Sequence, residues 1–178
     1  RFIAYAFPVE DAAVFKKKLQ ELKKEHPKAV HHCFAYRLGI QGDNFRANDD
    51  GEPSNTAGKP ILGQIQSNDL TNVLIVVVRY FGGTLLGVSG LINAYKTSAA
   101  EVIKETKIVE KFISFNYTIN FPFEHLNDVM KLLKQTDCKI TAQQFDNDCE
   151  ISFSIRKANS EACEEKLKKL LGLNLEYK

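Results

Sequence analysis

The chain has 178 residues, 44% of them hydrophobic and 26% charged, with a formal net charge of +2. This is the make-up of a soluble globular protein with one large or two small domains, apolar enough to need neither a metal nor a disulfide staple. The near balance of charge argues against a protein held to nucleic acid by bulk electrostatics and leaves a local basic surface open; the lack of a signal peptide, and of an apolar run of about 18 residues, points away from secretion and membrane insertion.

Arg1–Phe7 (RFIAYAF) reads as a strand stopped by Pro8, and with no methionine ahead of it a short N-terminal piece is expected to be missing. Over Val9–Glu25, residues Ala12, Phe15, Leu19 and Leu22 line one face of a helix whose lysines take the solvated side. Val30–Leu38 is the next strand; its adjacent His31 and His32 point to opposite faces and cannot grip one ion together. Phe45–Asn48 is a short paired strand. The loop DDGEPSNTAGKP (Asp49–Pro60) then brings Asp49, Asp50 and Glu52 together ahead of Ser54, Thr56 and Lys59. Such carboxylates chelate a divalent cation or accept hydrogen bonds from nearby N–H groups. The spacing is not that of an EF-hand, and a polar loop with turn chemistry is the plainer reading. A short helix is expected over Pro60–Gln66.

The stretch VLIVVVRYFGGTLLGVSG (Val73–Gly90) organises the rest. Six aliphatics without helical period read as a strand buried on both faces, ended by Arg79. Gly82, Gly83, Gly87, Ser89 and Gly90 read as a turn, and Leu91–Glu105 as the helix after it. A strand, a glycine-rich turn and a helix start gather free N–H groups suited to an anion, although glycines also mark tight turns with no ligand. The spacing is neither a phosphate loop nor a dinucleotide fingerprint. A charged, aperiodic break near residues 107–111 divides the chain into domains at 1–110 and 111–178.

In the second part, Phe115–Phe121 alternates as a strand and Leu126–Leu133 stripes a helix. Lys139–Phe145 and Cys149–Ile155 are strands about the turn Asp146-Asn147-Asp148. Ser160 is expected to cap a helix, and Leu173-Leu175-Tyr177 to alternate last, giving βαββαβ, a ferredoxin-like order. Cys33, Cys138, Cys149 and Cys163 sit far apart without a C-x-x-C, so reduced, metal-free thiols in a cytoplasmic protein are expected. Residues 1–113 hold 15 Lys and Arg against 12 Asp and Glu, and residues 114–178 hold 9 against 10. An anionic partner is therefore better sought on the first domain.

RFIAYAFPV, KKEHPKAVHHCFAYRLG, DDGEPSNTAGKPIL and NVLIVVVRYFGGTLLGVSGLINAY, in that order, resemble the IMPACT family in its bacterial, YigZ-type branch. The resemblance implies an α+β protein: an N-terminal α/β domain like the second domain of ribosomal protein S-five, with a left-handed βαβ crossover, then a ferredoxin-like domain similar to one in elongation factor G. Eukaryotic relatives regulate translation initiation, which implies a translation link. The family's acidic motif runs Ser-Gly-Thr-Ala-Gly, and Asn55 stands here at its first glycine. Leu85 replaces the lysine of Gly-Gly-x-Lys-Leu-Gly, removing a cation that could meet phosphate.

These residues lead to one expectation and two alternatives. The first is a non-catalytic regulatory binding protein that contacts RNA, the ribosome or a translation factor through its N-terminal domain. One alternative is an enzyme acting on a phosphorylated metabolite or nucleotide at the face of Asp49–Lys59 and Gly82–Gly90; a plain protein partner is the other. The two loops are expected to lie together, with the carboxylates satisfied by N–H groups of the glycine turn or by Arg79. Ser54, Thr56 and Lys59 would face the ligand. No cofactor, metal or membrane partner is expected, and the pattern sets no oligomeric state.

Overall fold

Val73–Arg79 (β4) is the central strand of the N-terminal part, and Leu74 to Val78 are wholly buried. The computed structural model describes residues 1–83, 85–145 and 148–171. The chain divides into two units, Arg1–Val109 and Glu110–Lys178.

The first unit runs β1 (Phe2–Pro8), α1 (Ala12–Glu25), β2 (His31–Leu38), β3 (Asn44–Asn48), α2 (Gly58–Ser67), β4 and α3 (Gly87–Glu105). Its sheet has the order β1-β4-β2-β3 with every neighbouring pair antiparallel. β1 and β2 thus run parallel, with β4 between them, and α1 is their connection. The burial of β4 on both faces comes from helices on both sides. Ile75 and Val77 join Cys33 and Ala35 beneath Ile61 and Ile65 of α2 and Leu91, Tyr95 and Ala99 of α3. Leu74, Val76 and Val78, of opposite parity, join Phe34 and Leu38 beneath Phe15 and Leu22 of α1.

Three helix starts of this unit differ from the pattern. α2 begins at Gly58, two residues ahead of Pro60. α1 begins at Ala12, because the Asp11 carboxylate accepts from the N–H of Ala13 at 2.7 Å and of Val14 at 2.8 Å. That is an N-cap, and Val9 ahead of it is packed into the core. α3 begins at Gly87 rather than Leu91, so Gly87, Ser89 and Gly90 form its first turn. Two glycines and a serine in four residues mask the helix start, since their low propensity reads as loop.

The second unit runs β5 (Ser114–Pro122), a single 3-10 turn (Phe123–His125), α4 (Leu126–Gln135), β6 (Lys139–Phe145), β7 (Asp148–Arg156) and α5 (Lys157–Leu171). The three strands are antiparallel in the order β5-β7-β6. One face is buried: Tyr117, Ile119 and Phe121 of β5 and Cys149, Ile151, Phe153 and Ile155 of β7 pack with Val129 and Leu133 of α4 and Cys163 and Leu167 of α5. This is the strand order of a ferredoxin-like unit. Its expected last strand, Leu173–Tyr177, and the turn at Asp146 and Asn147 lie outside the described residues. Ser160 is not the cap: α5 starts at Lys157, and the buried Ser160 hydroxyl donates to the Lys157 carbonyl at 2.9 Å. Among the described residues no helix is long and apolar enough to cross a membrane.

Candidate functional site

The three carboxylates between β3 and α2 all find partners inside the first unit. Asp49 Oδ1 accepts from the N–H of Ala57 at 3.0 Å and of Gly58 at 2.8 Å, and Oδ2 accepts from Asn55 N–H at 2.9 Å. The first N–H groups of α2 would otherwise be orphaned, since Ala57 has no side chain to cap them. A carboxylate eight residues upstream does so instead and also meets the positive end of the helix. The loop can close in this way because Asp50 and Asn55 take positive φ, +43° and +64°. Asn suits the left-handed region, so its presence where the family pattern has glycine preserves the turn.

Asp50 Oδ2 accepts from His32 N–H at 2.7 Å, and its other oxygen lies 3.5 Å from Lys23 Nζ. Its carbonyl accepts from His31 Nδ1 at 2.7 Å, which fixes the tautomer of that ring. Glu52 is the most deeply placed: its Oε1 accepts from Arg79 Nη1 at 2.5 Å and from the Tyr95 hydroxyl at 2.7 Å. His31 Nε2 stands 3.8 Å from the same oxygen. Both members of the Glu52–Arg79 pair are only 8% exposed. The Cys33 thiol completes the cluster, 3.2 Å from the Tyr95 hydroxyl and 3.0 Å from the Asp49 carbonyl. β2 presents His31 and Cys33, β4 presents Arg79, and α3 presents Tyr95, so Glu52 ties the loop to three elements.

Burial pushes the Cys33 thiol up to about 12 and raises the Tyr95 hydroxyl well above its ordinary value, with Cys33 and Glu52 adding to the latter. Both groups are protonated at neutral pH, and Cys33 is no nucleophile. On the opposite face of β2, burial lowers the pKa of His32, whose Nε2 is buried without a hydrogen-bond partner.

The residues marked in the sequence therefore separate into groups. Asp49, Asp50 and Glu52 are structural acceptors, and their partners are α2's own N–H groups, His32, Arg79 and Tyr95 rather than the N–H groups of the glycine turn. Thr56 does not face outward as expected: it is buried, and its hydroxyl closes the turn by donating to the Pro53 carbonyl at 2.7 Å. Ser54, Lys59, Gly82, Gly83, Gly87 and Ser89 are exposed, and Gly90 is half-buried. Gly83 and Gly87 take φ of +84° and +69°, and a Cβ on Gly82, Gly83 or Gly87 would meet open space, so these glycines serve backbone shape rather than close packing.

Arg79 is the hinge between the two loops. Beyond Glu52 it lines a cleft of about 190 Å³ with Phe2, Tyr80, Gly82 and Leu86, and its guanidinium carbon sits 5.9 Å from the Phe81 ring. Around it Phe81 and Leu85 are 52% and 86% exposed, and Leu86, Val88 and Ile92 are exposed as well. Among the described residues no side chain hydrogen-bonds as a cap at the start of α3, and its first turn carries no acidic residue.

The Impact N-terminal domain profile matches residues 1–103. The chain belongs to the IMPACT family. It is 35% identical over 142 residues to the IMPACT family member YigZ of Escherichia coli (strain K12), covering 79% of this chain and 70% of the relative. An IMPACT family member of Haemophilus influenzae is 34% identical over 172 residues, covering 94% and 82%. A solved structure described as a hypothetical protein superposes with a TM-score of 0.70 at 30% identity, over 99% of this chain and 86% of that one. The match spans residues of both units.

Two residues of this IMPACT-family site, Tyr95 and Gly58, are not singled out by the sequence, and of the adjacent His31 and His32 the sequence does not tell which one joins the cluster. Tyr95 looks like one more apolar position on the α3 stripe. Gly58 looks like a loop glycine, yet a Cβ there would lie 2.5 Å from the Asn48 backbone nitrogen. Its only signal in the sequence is its place beside Lys59-Pro60, where Pro marks the first turn of a helix.

Proposed function

We propose that this IMPACT-family chain is a non-catalytic regulatory binding protein of the cytoplasm, whose N-terminal unit contacts RNA, alone or within a translation component. The observation that carries this reading is the internal commitment of the acidic loop: Asp49 and Glu52 accept five hydrogen bonds from the unit's own groups. What remains outward is Ser54, Lys59 and Ser89, the open start of α3, and an apolar loop with Phe81 beside Arg79. Cations and helix N–H groups suit phosphates, and an exposed aromatic ring beside a guanidinium suits an unstacked base.

The enzyme alternative draws less support. The cleft beside Arg79, at about 190 Å³, falls below the roughly 300 Å³ at which pockets begin to enclose a metabolite. The cysteine and tyrosine within the cluster are held protonated. The test is RNA titration followed by fluorescence anisotropy at several salt concentrations, comparing the parent chain with Lys59→Ala. Binding that weakens with salt, less steeply in the variant, supports the reading; no binding at low salt overturns it.

A further inference from the structure

The second unit holds a feature that the proposed binding face does not use. Cys138, at the entrance to β6, and Cys163, in the middle of α5, are 25 residues apart, yet their sulfurs stand 3.8 Å from one another. This overturns the expectation of four scattered thiols. The Thr136 hydroxyl lies 3.1 Å from the first sulfur and 3.6 Å from the second. Cys163 is buried at 1% exposure while Cys138 is partly open to solvent. We propose that Cys138 and Cys163 form a peroxide-sensitive dithiol, oxidised to an intramolecular disulfide that staples α5 to the start of β6.

Geometry is the first argument. A disulfide needs its sulfurs at about 2.05 Å, so each must move by only about 1 Å, within reach of small side-chain rotations. The second is chemical. The hydrogen bond from Cys138 and the nearby Thr136 hydroxyl stabilise a thiolate on Cys163, bringing its pKa down to about 7, with Lys166 adding to the effect. Cys138 is pushed the other way by the same hydrogen bond. Loss of one proton at neutral pH thus leaves a negative charge held between two sulfurs, one of them within reach of a small oxidant. The third is contrast within the chain. Cys33 is fully buried with its pKa raised to about 12, and Cys149 is fully buried in the β7 core.

The chemistry balances with hydrogen peroxide as oxidant. The thiolate rests on Cys163; transfer of the Cys138 proton to it across the 3.8 Å contact moves the charge to the partly open Cys138, whose sulfur attacks one peroxide oxygen and breaks the O–O bond. The sulfur becomes a sulfenic acid, and the released hydroxide takes up a proton as water. Cys163, deprotonated in turn, attacks the sulfenic sulfur; the S–S bond forms and a second hydroxide leaves as water. Two thiols lose two electrons in all, and one peroxide gains them.

The test treats the full chain with a few equivalents of hydrogen peroxide, alkylates remaining thiols in denaturant, and maps peptides by mass spectrometry with and without reduction. The expected result is a linked peptide joining Cys138 to Cys163, an intact mass about 2 Da lower that dithiothreitol restores, and full alkylation at Cys33 and Cys149. Alkylation of Cys138 and Cys163 to the same extent as Cys149 would overturn the proposal. So would Cys138 carried on to sulfinic acid while Cys163 stays alkylatable in the parent chain. Cys163→Ser should convert the product to a sulfenic acid on Cys138, trapped by dimedone. Should that variant not fold, Cys138→Ala at the more open position serves: loss of Cys163 thiol to peroxide should slow by about tenfold. An unchanged rate would show that Cys163 reacts on its own and refute the pairing.

Discussion

Glu52→Ala removes the counter-charge of Arg79 and the acceptor of the Tyr95 hydroxyl in one step. Arg79 is only 8% exposed, so water does not readily replace the lost carboxylate. Breaking a buried pair in this way costs about 3–5 kcal/mol, because a charge is left uncompensated. The stranded tyrosine adds roughly 1 kcal/mol, though not additively within one network. A loss of about 4 kcal/mol is a large share of a total stability of about 5–15 kcal/mol. At about 4 °C per kcal/mol for a unit of this size, the N-terminal transition should fall by roughly 15 °C. Differential scanning calorimetry on the whole chain reads this directly. The double variant Glu52→Leu/Arg79→Met removes both charges and should recover most of the loss, leaving the Tyr95 hydroxyl as the residual cost. A Glu52→Ala transition within about 2 °C of the parent would refute the structural role given to the pair.

Gly58→Ala should destabilise the first unit by about 2 kcal/mol or more in a urea melt, because its Cβ would meet the Asn48 nitrogen at 2.5 Å. Stability should also fall on both sides of neutrality. Burial lowers the His32 pKa in the folded state, so its contribution is complete above the ordinary value of 6.5 and is lost as pH falls; His32→Phe should flatten that acid limb. The Cys33 pKa is raised in the folded state, so its contribution is complete below the ordinary 9.0 and is lost as pH rises toward about 12; Cys33→Ala should lessen the alkaline decline. Chemical denaturation across pH checks both.

The elements of this fold are legible where a single period dominates. β4 is a run of aliphatics, the β5 and β7 strands alternate, and α4 carries a clean stripe, so each is readable without a structure. The helix starts are not, because they depend on residues of low propensity: the first turn of α3 holds two glycines, and α2 is capped from eight residues upstream. At the site, the need of three neighbouring carboxylates for donors is visible in the sequence, and so is Arg79 as a candidate partner. The identity of the other donors is not, because Ala57, Gly58 and His32 act through backbone N–H groups that leave no trace in residue type. Thr56 and Ser54 look alike in a polar loop, and only the turn at Pro53 decides that Thr56 points inward. The Cys138–Cys163 approach is a tertiary contact between a helix and a strand entrance, which sequence spacing does not encode.

The claim that this face binds RNA is tested most directly by the salt dependence of binding in the parent and Lys59→Ala. Anisotropy titrations of a labelled single-stranded RNA, repeated between about 50 and 200 mM salt, give the slope of log affinity against log salt. The account predicts measurable binding at low salt, and a slope shallower by about 0.7 in Lys59→Ala for the loss of one phosphate contact, with an unchanged melting temperature. Identical slopes and affinities for the two proteins, or no binding by the parent at the lowest salt, would contradict it.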